Sequence, residues 1–220
     1  MTISLFLLYS MMFTALMLAL VKPKYEKFYL PAKTATSITF LLVAFIFASH
    51  GDHLKELLWY LPAFLLCFCG DVLLGNFHKT SKQGFFIAGL VSFLLGHLAF
   101  IYNFAQLQPL MAVDFIIPVL TLGIVFGLTK LKDMDIGKMT PAVYVYAFFI
   151  ALLLSKSLHL LLSFGGLKML LLASGSLFFL LSDMLILFLY FYKKQHIAVH
   201  VFNLATYYLA MFLLALSLYF

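Results

Sequence analysis

The sequence has no arginine, only eight acidic residues, two cysteines and one tryptophan among 220 residues. Charged residues make up 10% of the chain and hydrophobic ones 65%. A soluble domain is about half apolar and about a quarter charged, so a water-soluble globule is excluded. Cys67 and Cys69 share one apolar segment and, two positions apart, point to different sides of a helix. That excludes a disulfide framework or a zinc site and predicts two free thiols packed as small apolar groups. There is no G-x-S-x-G, no H-E-x-x-H and no P-loop, which counts against a serine hydrolase, a zinc protease and a nucleotide-driven pump. The net charge of +6 comes from lysines alone. No basic run is long enough to neutralise several phosphates, so nucleic acid is not an expected partner. The start, Met1-Thr2-Ile3-Ser4-Leu5, lacks a positive region, and the apolar stretch to Val21 lacks a small-residue cleavage site. It reads as a retained first helix.

What is present is a series of long apolar runs. Eight can be marked: Ile3–Val21, Pro31–Ser49, Leu57–Gly75, Phe85–Phe104, Met111–Leu128, Thr140–Leu158, Met169–Phe191 and Val199–Phe220. A spanning helix needs about 20 mostly apolar residues. The expected fold is therefore all-α: a polytopic integral membrane protein, a bundle of about eight transmembrane helices, with residues 1–220 as one domain. Pro31 suits a first helical turn, where its missing N–H costs nothing. Polar connections separate the runs, among them Asn76 to Gln83, His159 to Lys168 and Lys193 to His196. Ten lysines (22, 24, 27, 79, 82, 130, 132, 138, 193 and 194) fall in alternate connections, against Lys55, Lys156 and Lys168 in the others. The excess predicts which side is cytoplasmic and puts both termini on the opposite side. The expected location is a bacterial inner (plasma) membrane.

Two residues contradict this apolar setting. Asp71 and Asp183 each have apolar neighbours on both sides. A carboxylate at the centre of a span costs about 2.5–3.5 kcal/mol on insertion scales, and such residues face a bundle interior or a hydrated cavity. Cys67, Asp71 and Gly75 recur every four residues and form one small-residue face. Other polar residues join them. Lys33 starts the second span, Ser92 and His97 lie in the fourth, and Tyr144 and Tyr146 in the sixth; His200, Asn203 and Tyr207 share one face of the eighth. At about 1.5 Å per residue, Asp71 comes about 6 Å and Asp183 about 12 Å from the cytoplasmic ends of their helices. One cavity opening to that leaflet is the expectation. Two carboxyls in such a cavity differ in proton affinity, which supplies an acid and a base at neutral pH. The same physics serves a proton relay in a transporter.

Weaker signals carry structural readings. Gly123 and Gly127 form a GxxxG that predicts close helix packing. His196 with His200, and His50 with His53, have the spacing of metal pairs but no acidic or cysteine company, so no metal and no cofactor is expected.

At its polar positions the sequence resembles the YhhN-like lysoplasmalogenases, the transmembrane protein 86 family of animals. The resemblance rests on Lys33-Thr34, Gly70-Asp71-Val72-Leu73-Leu74, Phe93-Leu94-Leu95-Gly96-His97, Pro141 through Tyr146, Phe178 through Asp183, and Thr206-Tyr207-Tyr208-Leu209-Ala210. The chain departs from the family pattern at Thr34, Phe100 and Met211. The resemblance implies hydrolysis of the vinyl ether bond of lysophospholipids, giving a fatty aldehyde and a glycerophospho-ethanolamine or -choline. It implies Asp71 and Asp183 as the catalytic pair. A carboxylic acid can protonate the alkene carbon, and an ionised carboxylate can stabilise the cation and activate water. Lys33 would then hold the substrate phosphate. Ser92, His97, Tyr146, Asn203 and Tyr207 would bind or orient the reacting groups. The expected partners are the lysophospholipid and membrane lipid. A proton-coupled transporter and a lipid-binding protein without turnover are the competing readings; the lack of a paired inverted repeat argues against the first.

Overall fold

The structure, a computed structural model, describes residues 2–194 and 196–220, with side chains from Ser4 onward. The reading placed on Met1 and the Gln195 position of the last connection lie outside the described residues. The rest form eight helices long and apolar enough to cross a membrane: α1 Thr2–Val21, α2 Tyr29–His50, α3 Leu54–Thr80, α4 Gln83–Leu107, α5 Ile116–Thr129, α6 Thr140–Phe164, α7 Gly166–Phe191 and α8 Ile197–Leu216. Among the described residues no β-strand forms; Met134 and Tyr192 make one isolated antiparallel bridge. The chain is an all-helical integral membrane protein, as expected from a bilayer that leaves no water to satisfy an open backbone.

The helices outrun the apolar segments at their polar ends. α3 continues through Asn76 and Lys79 to Thr80, and α6 through His159 to Phe164. The predicted connection from His159 to Lys168 is in fact two helix ends meeting at Gly165 and Gly166, whose φ values are +64° and +82°. Only glycine adopts such angles without strain, so this pair sets the corner. The fifth segment, expected over Met111–Leu128, opens as a 3-10 turn at Ala112–Phe115 and is helical from Ile116. His196 caps α8, its Nδ1 accepting from the Ala198 N–H at 3.2 Å.

The chain divides into two compact units, Met1–Ala99 with Leu218–Phe220, and Phe100–Ser217. In the first, α1 packs on α2 and α2 on α3. Gly70 of α3 lies so close to the Phe93 ring of α4 that a Cβ there would come within 2.6 Å of it, and the Ser92 hydroxyl donates to the Leu66 carbonyl at 2.7 Å. In the second, α5, α6, α7 and α8 pack in chain order. α6 is enclosed on all sides from Ile150 to Ser157, the mark of a central helix.

Two packing expectations are corrected. Gly123 and Gly127 are exposed, and nothing lies within 4 Å of a Cβ built at either. The GxxxG does not seat a neighbouring helix in this chain. Lys156 is not a connection lysine: it is wholly buried inside α6. That leaves Lys55 and Lys168 on its predicted side.

Candidate functional site

In the first unit the polar residues converge on Asp71, which is completely buried. Lys33, four residues past the start of α2, turns its Nζ to Asp71 Oδ1 at 3.0 Å. One turn on, the Ser37 hydroxyl donates to Asp71 Oδ2 at 2.7 Å. The helical repeat puts both on one face of α2, and that face meets the Cys67–Asp71–Gly75 face of α3. Gly75 permits the approach: a Cβ there would come within 2.7 Å of Leu30. Tyr9 of α1 and Tyr29 of α2 are buried within reach of the Asp71 charge. Tyr29 also packs on His78, with ring centroids 4.2 Å apart. Both Asp71 oxygens thus face donors, the Lys33 Nζ at Oδ1 and the Ser37 hydroxyl at Oδ2, the arrangement of a charge-assisted pair.

Asp71 also lies deeper than counted. Because α3 runs to Thr80, nine residues separate it from the helix end, about 14 Å rather than 6 Å. Lys33 differs as well. Expected at the rim for a substrate phosphate, it is 5% exposed and its ammonium is committed to Asp71. Ser92 ties α4 to α3, and His97 is completely buried in α4.

In the second unit Asp183 of α7 is 8% exposed. Tyr146 of α6 donates its hydroxyl to Asp183 Oδ2 at 3.0 Å. The next residue back, Ser182, forms a reciprocal link to α8: the Asn203 amide donates to the Ser182 carbonyl at 2.8 Å and to its Oγ at 3.0 Å, and Ser182 Oγ donates to the Asn203 carbonyl at 3.1 Å. Asn203 thus locks α8 against α7 one residue from the carboxyl. Tyr207 stacks edge-on against Phe179 at 5.6 Å and Tyr208 at 4.9 Å. Eight residues separate Asp183 from the end of α7 at Phe191, about the 12 Å expected.

Three groups escaped the sequence. Ser37 was findable, being one turn from Lys33 on the same face. Tyr9 and Tyr29 carry no signal among many membrane tyrosines. The third is a cluster in the second unit. Asp114, wholly buried, meets His159 Nδ1 through Oδ1 at 2.8 Å and Lys156 Nζ through Oδ2 at 3.5 Å. Its Oδ2 also accepts from the Met111 N–H at 2.8 Å, and Lys156 donates to the Pro109 carbonyl at 3.0 Å. His53, expected without acidic company, pairs with Glu56 at 3.3 Å. Among the described residues no group of three or more His, Cys, Asp or Glu side chains is arranged to hold a metal. Neither Cys67 nor Cys69 forms a disulfide; the first is buried and the second exposed.

The model of the YhhN family matches residues 28–218 of the chain. No curated protein and no solved structure matches it.

Proposed function

Since the chain belongs to the YhhN family, the lysoplasmalogenase family, we propose that it hydrolyses the vinyl ether bond of lysoplasmalogen-type lysophospholipids, with Asp71 and Asp183 in complementary acid and base roles. Membership supports a lysoplasmalogenase-type membrane protein; the roles of the residues are our reading. The observation that carries it is that both carboxyls sit buried within spans and are met there by donors from another helix. Lys33 and Ser37 of α2 meet Asp71. Tyr146 of α6 donates to Asp183.

In this reading Asp183 is the general acid. Tyr146 holds Oδ2 and orients the carboxyl, whose proton is the one transferred. It passes to the alkene carbon remote from the ether oxygen, leaving an oxocarbenium ion on the other. Asp71, paired with Lys33, stabilises that cation and accepts a proton from water as the water oxygen bonds to the cationic carbon. The hemiacetal then collapses: Asp71 returns its proton to the glycerol oxygen as the C–O bond to the glycerol breaks, Asp183 takes the hydroxyl proton and is again an acid, and a fatty aldehyde and a glycerophospho-alcohol result. Proton transfer from a positioned acid contributes about 10²–10⁴-fold. The scheme uses no nucleotide and no metal. Lysine distribution supports the polar ends of these helices facing the cytoplasm.

The test is aldehyde release from a lysoplasmalogen by purified protein in detergent. Asp71→Asn and Asp183→Asn are each expected to lose at least 10²-fold in kcat. Release that survives both substitutions defeats the reading. The buried Lys33–Asp71 pair would also suit a proton-coupled carrier; lipid or proton flux in sealed vesicles, with the lipid chemically unchanged, would decide for that.

A further inference from the structure

The seam between α2 and α3 changes character along its length. On α2, Lys33, Ser37, Leu41 and Ala44 follow one another at helical spacing, and on α3 so do Asp71, Phe64, Leu61 and Leu57. One end of the seam holds the Lys33–Asp71–Ser37 cluster. The other opens into an apolar cavity of about 420 Å³, within the range of about 300–1,000 Å³ typical of small-molecule sites. Its floor is Ala44, Leu57 and Phe64, all buried, and Phe45 and Leu58 stand exposed at its mouth. The cavity is therefore a slot entered sideways from the membrane. At the start of α3 it is lined by Leu54 and Lys55.

We propose that this slot holds the hydrocarbon tail of a single-chain lipid whose ether end lies beside Asp71, and that its closed polar end limits tail length. The proposal rests on the hydrolase reading above. Three observations select this occupant. The seam is polar at one end and apolar at the other, as a lysolipid is. Measured along α3, Phe64 lies seven and Leu57 fourteen residues from Asp71, about 10 and 21 Å, which brackets the roughly 15 Å depth of one hydrocarbon leaflet. Apart from Lys55 the slot is lined by apolar side chains alone, which suits a hydrocarbon chain. At the start of α3 a longer tail meets the charged Lys55 side chain, where hydrocarbon gains nothing.

The experiment compares wild type, Leu61→Trp, Leu61→Ala and the control Leu162→Trp, whose site is 87% exposed on α6. Two readouts are taken with short-, medium- and long-tailed lysolipids: aldehyde release from the vinyl ethers, and binding of the uncleavable saturated alkyl ethers by native mass spectrometry. Wild-type binding is expected to rise about fourfold per added methylene up to a limit, the factor given by about 0.8 kcal/mol per buried methylene. Leu61→Trp is expected to move that limit to shorter tails, Leu61→Ala to longer ones, and Leu162→Trp to leave it in place. An unchanged limit in both Leu61 variants overturns the slot, whether or not aldehyde is released. If Leu61→Trp does not fold, Leu61→Ala decides alone. Binding with the expected shifts but no aldehyde from wild type overturns the hydrolase reading and leaves the slot standing.

Discussion

Replacing Asp114 by Asn changes no volume and tests whether the buried charge cluster of the second unit holds that unit together. Asp114 accepts from the Met111 N–H at 2.8 Å, meets His159 at 2.8 Å and faces the Lys156 ammonium at 3.5 Å. Both Asp114 and Lys156 are wholly buried. An asparagine amide must turn its NH₂ towards one of these groups. If it keeps the His159 contact, the NH₂ faces Lys156 and the Met111 N–H, both donors. Lys156 then keeps the neutral Pro109 carbonyl as an acceptor but loses its carboxylate. Breaking a buried pair from one side costs about 3–5 kcal/mol. For a chain of this length that is about 6–20 °C in Tm, at about 2–4 °C per kcal/mol. Asp114→Asn with Lys156→Met removes both charges, and the apolar replacement is expected to recover at least about 1 kcal/mol as coupling energy. The assay is unfolding in mixed detergent followed by far-ultraviolet circular dichroism. A loss below about 1 kcal/mol for Asp114→Asn would refute the reasoning, since that is the scale of an ordinary surface change. So would strict additivity in the double variant, because it would mean that the two charges do not interact.

Tyr146→Phe removes the hydroxyl that donates to Asp183; a hydrogen bond between neutral groups contributes about 0.5–1.5 kcal/mol, so aldehyde release should fall about 2- to 10-fold in kcat with the fold intact. Lys33→Met leaves the Asp71 carboxylate buried with the Ser37 donor but without its cation, and should lower stability by about 3–5 kcal/mol; Lys33→Met with Asp71→Asn should regain much of this in the same unfolding assay while remaining inactive. Gly165→Ala forces a side chain onto φ +64°, ψ −161°, a region open to glycine almost alone, at a cost of about 1–3 kcal/mol; Gly127→Ala, on an exposed face with nothing within 4 Å, should gain or lose under about 1 kcal/mol.

The eight spans were legible because the bilayer leaves the backbone one economical choice, and long apolar runs announce it. Their ends were less legible. Asn76, Lys79 and His159 are polar, and polar residues at the interface are equally at home in a loop or in a last helical turn, so α3 and α6 run past the predicted limits. The correction deepened Asp71 and moved Lys156 from a rim to an interior.

Asp71 and Asp183 could be singled out from sequence, since a carboxylate among leucines and phenylalanines is costly wherever the helix points. What each carboxyl touches could not. Tyr146 is separated from Asp183 by 37 positions and Ser37 from Asp71 by 34, and nothing in a local pattern couples residues so far apart. Lys156 shows the same limit from the other side. A lysine near the end of an apolar run reads as a cation reaching for water, until the fold brings Asp114 to it. The GxxxG of α5 kept its pattern and lost its meaning, because spacing records which residues share a face but not what covers that face. The amino-acid order by itself determined that this chain crosses a membrane and that two of its spans carry an aspartate, Asp71 and Asp183. Only the packing of helices decided which charges are paired, because pairing depends on distances through space that the chain sets only once it has folded.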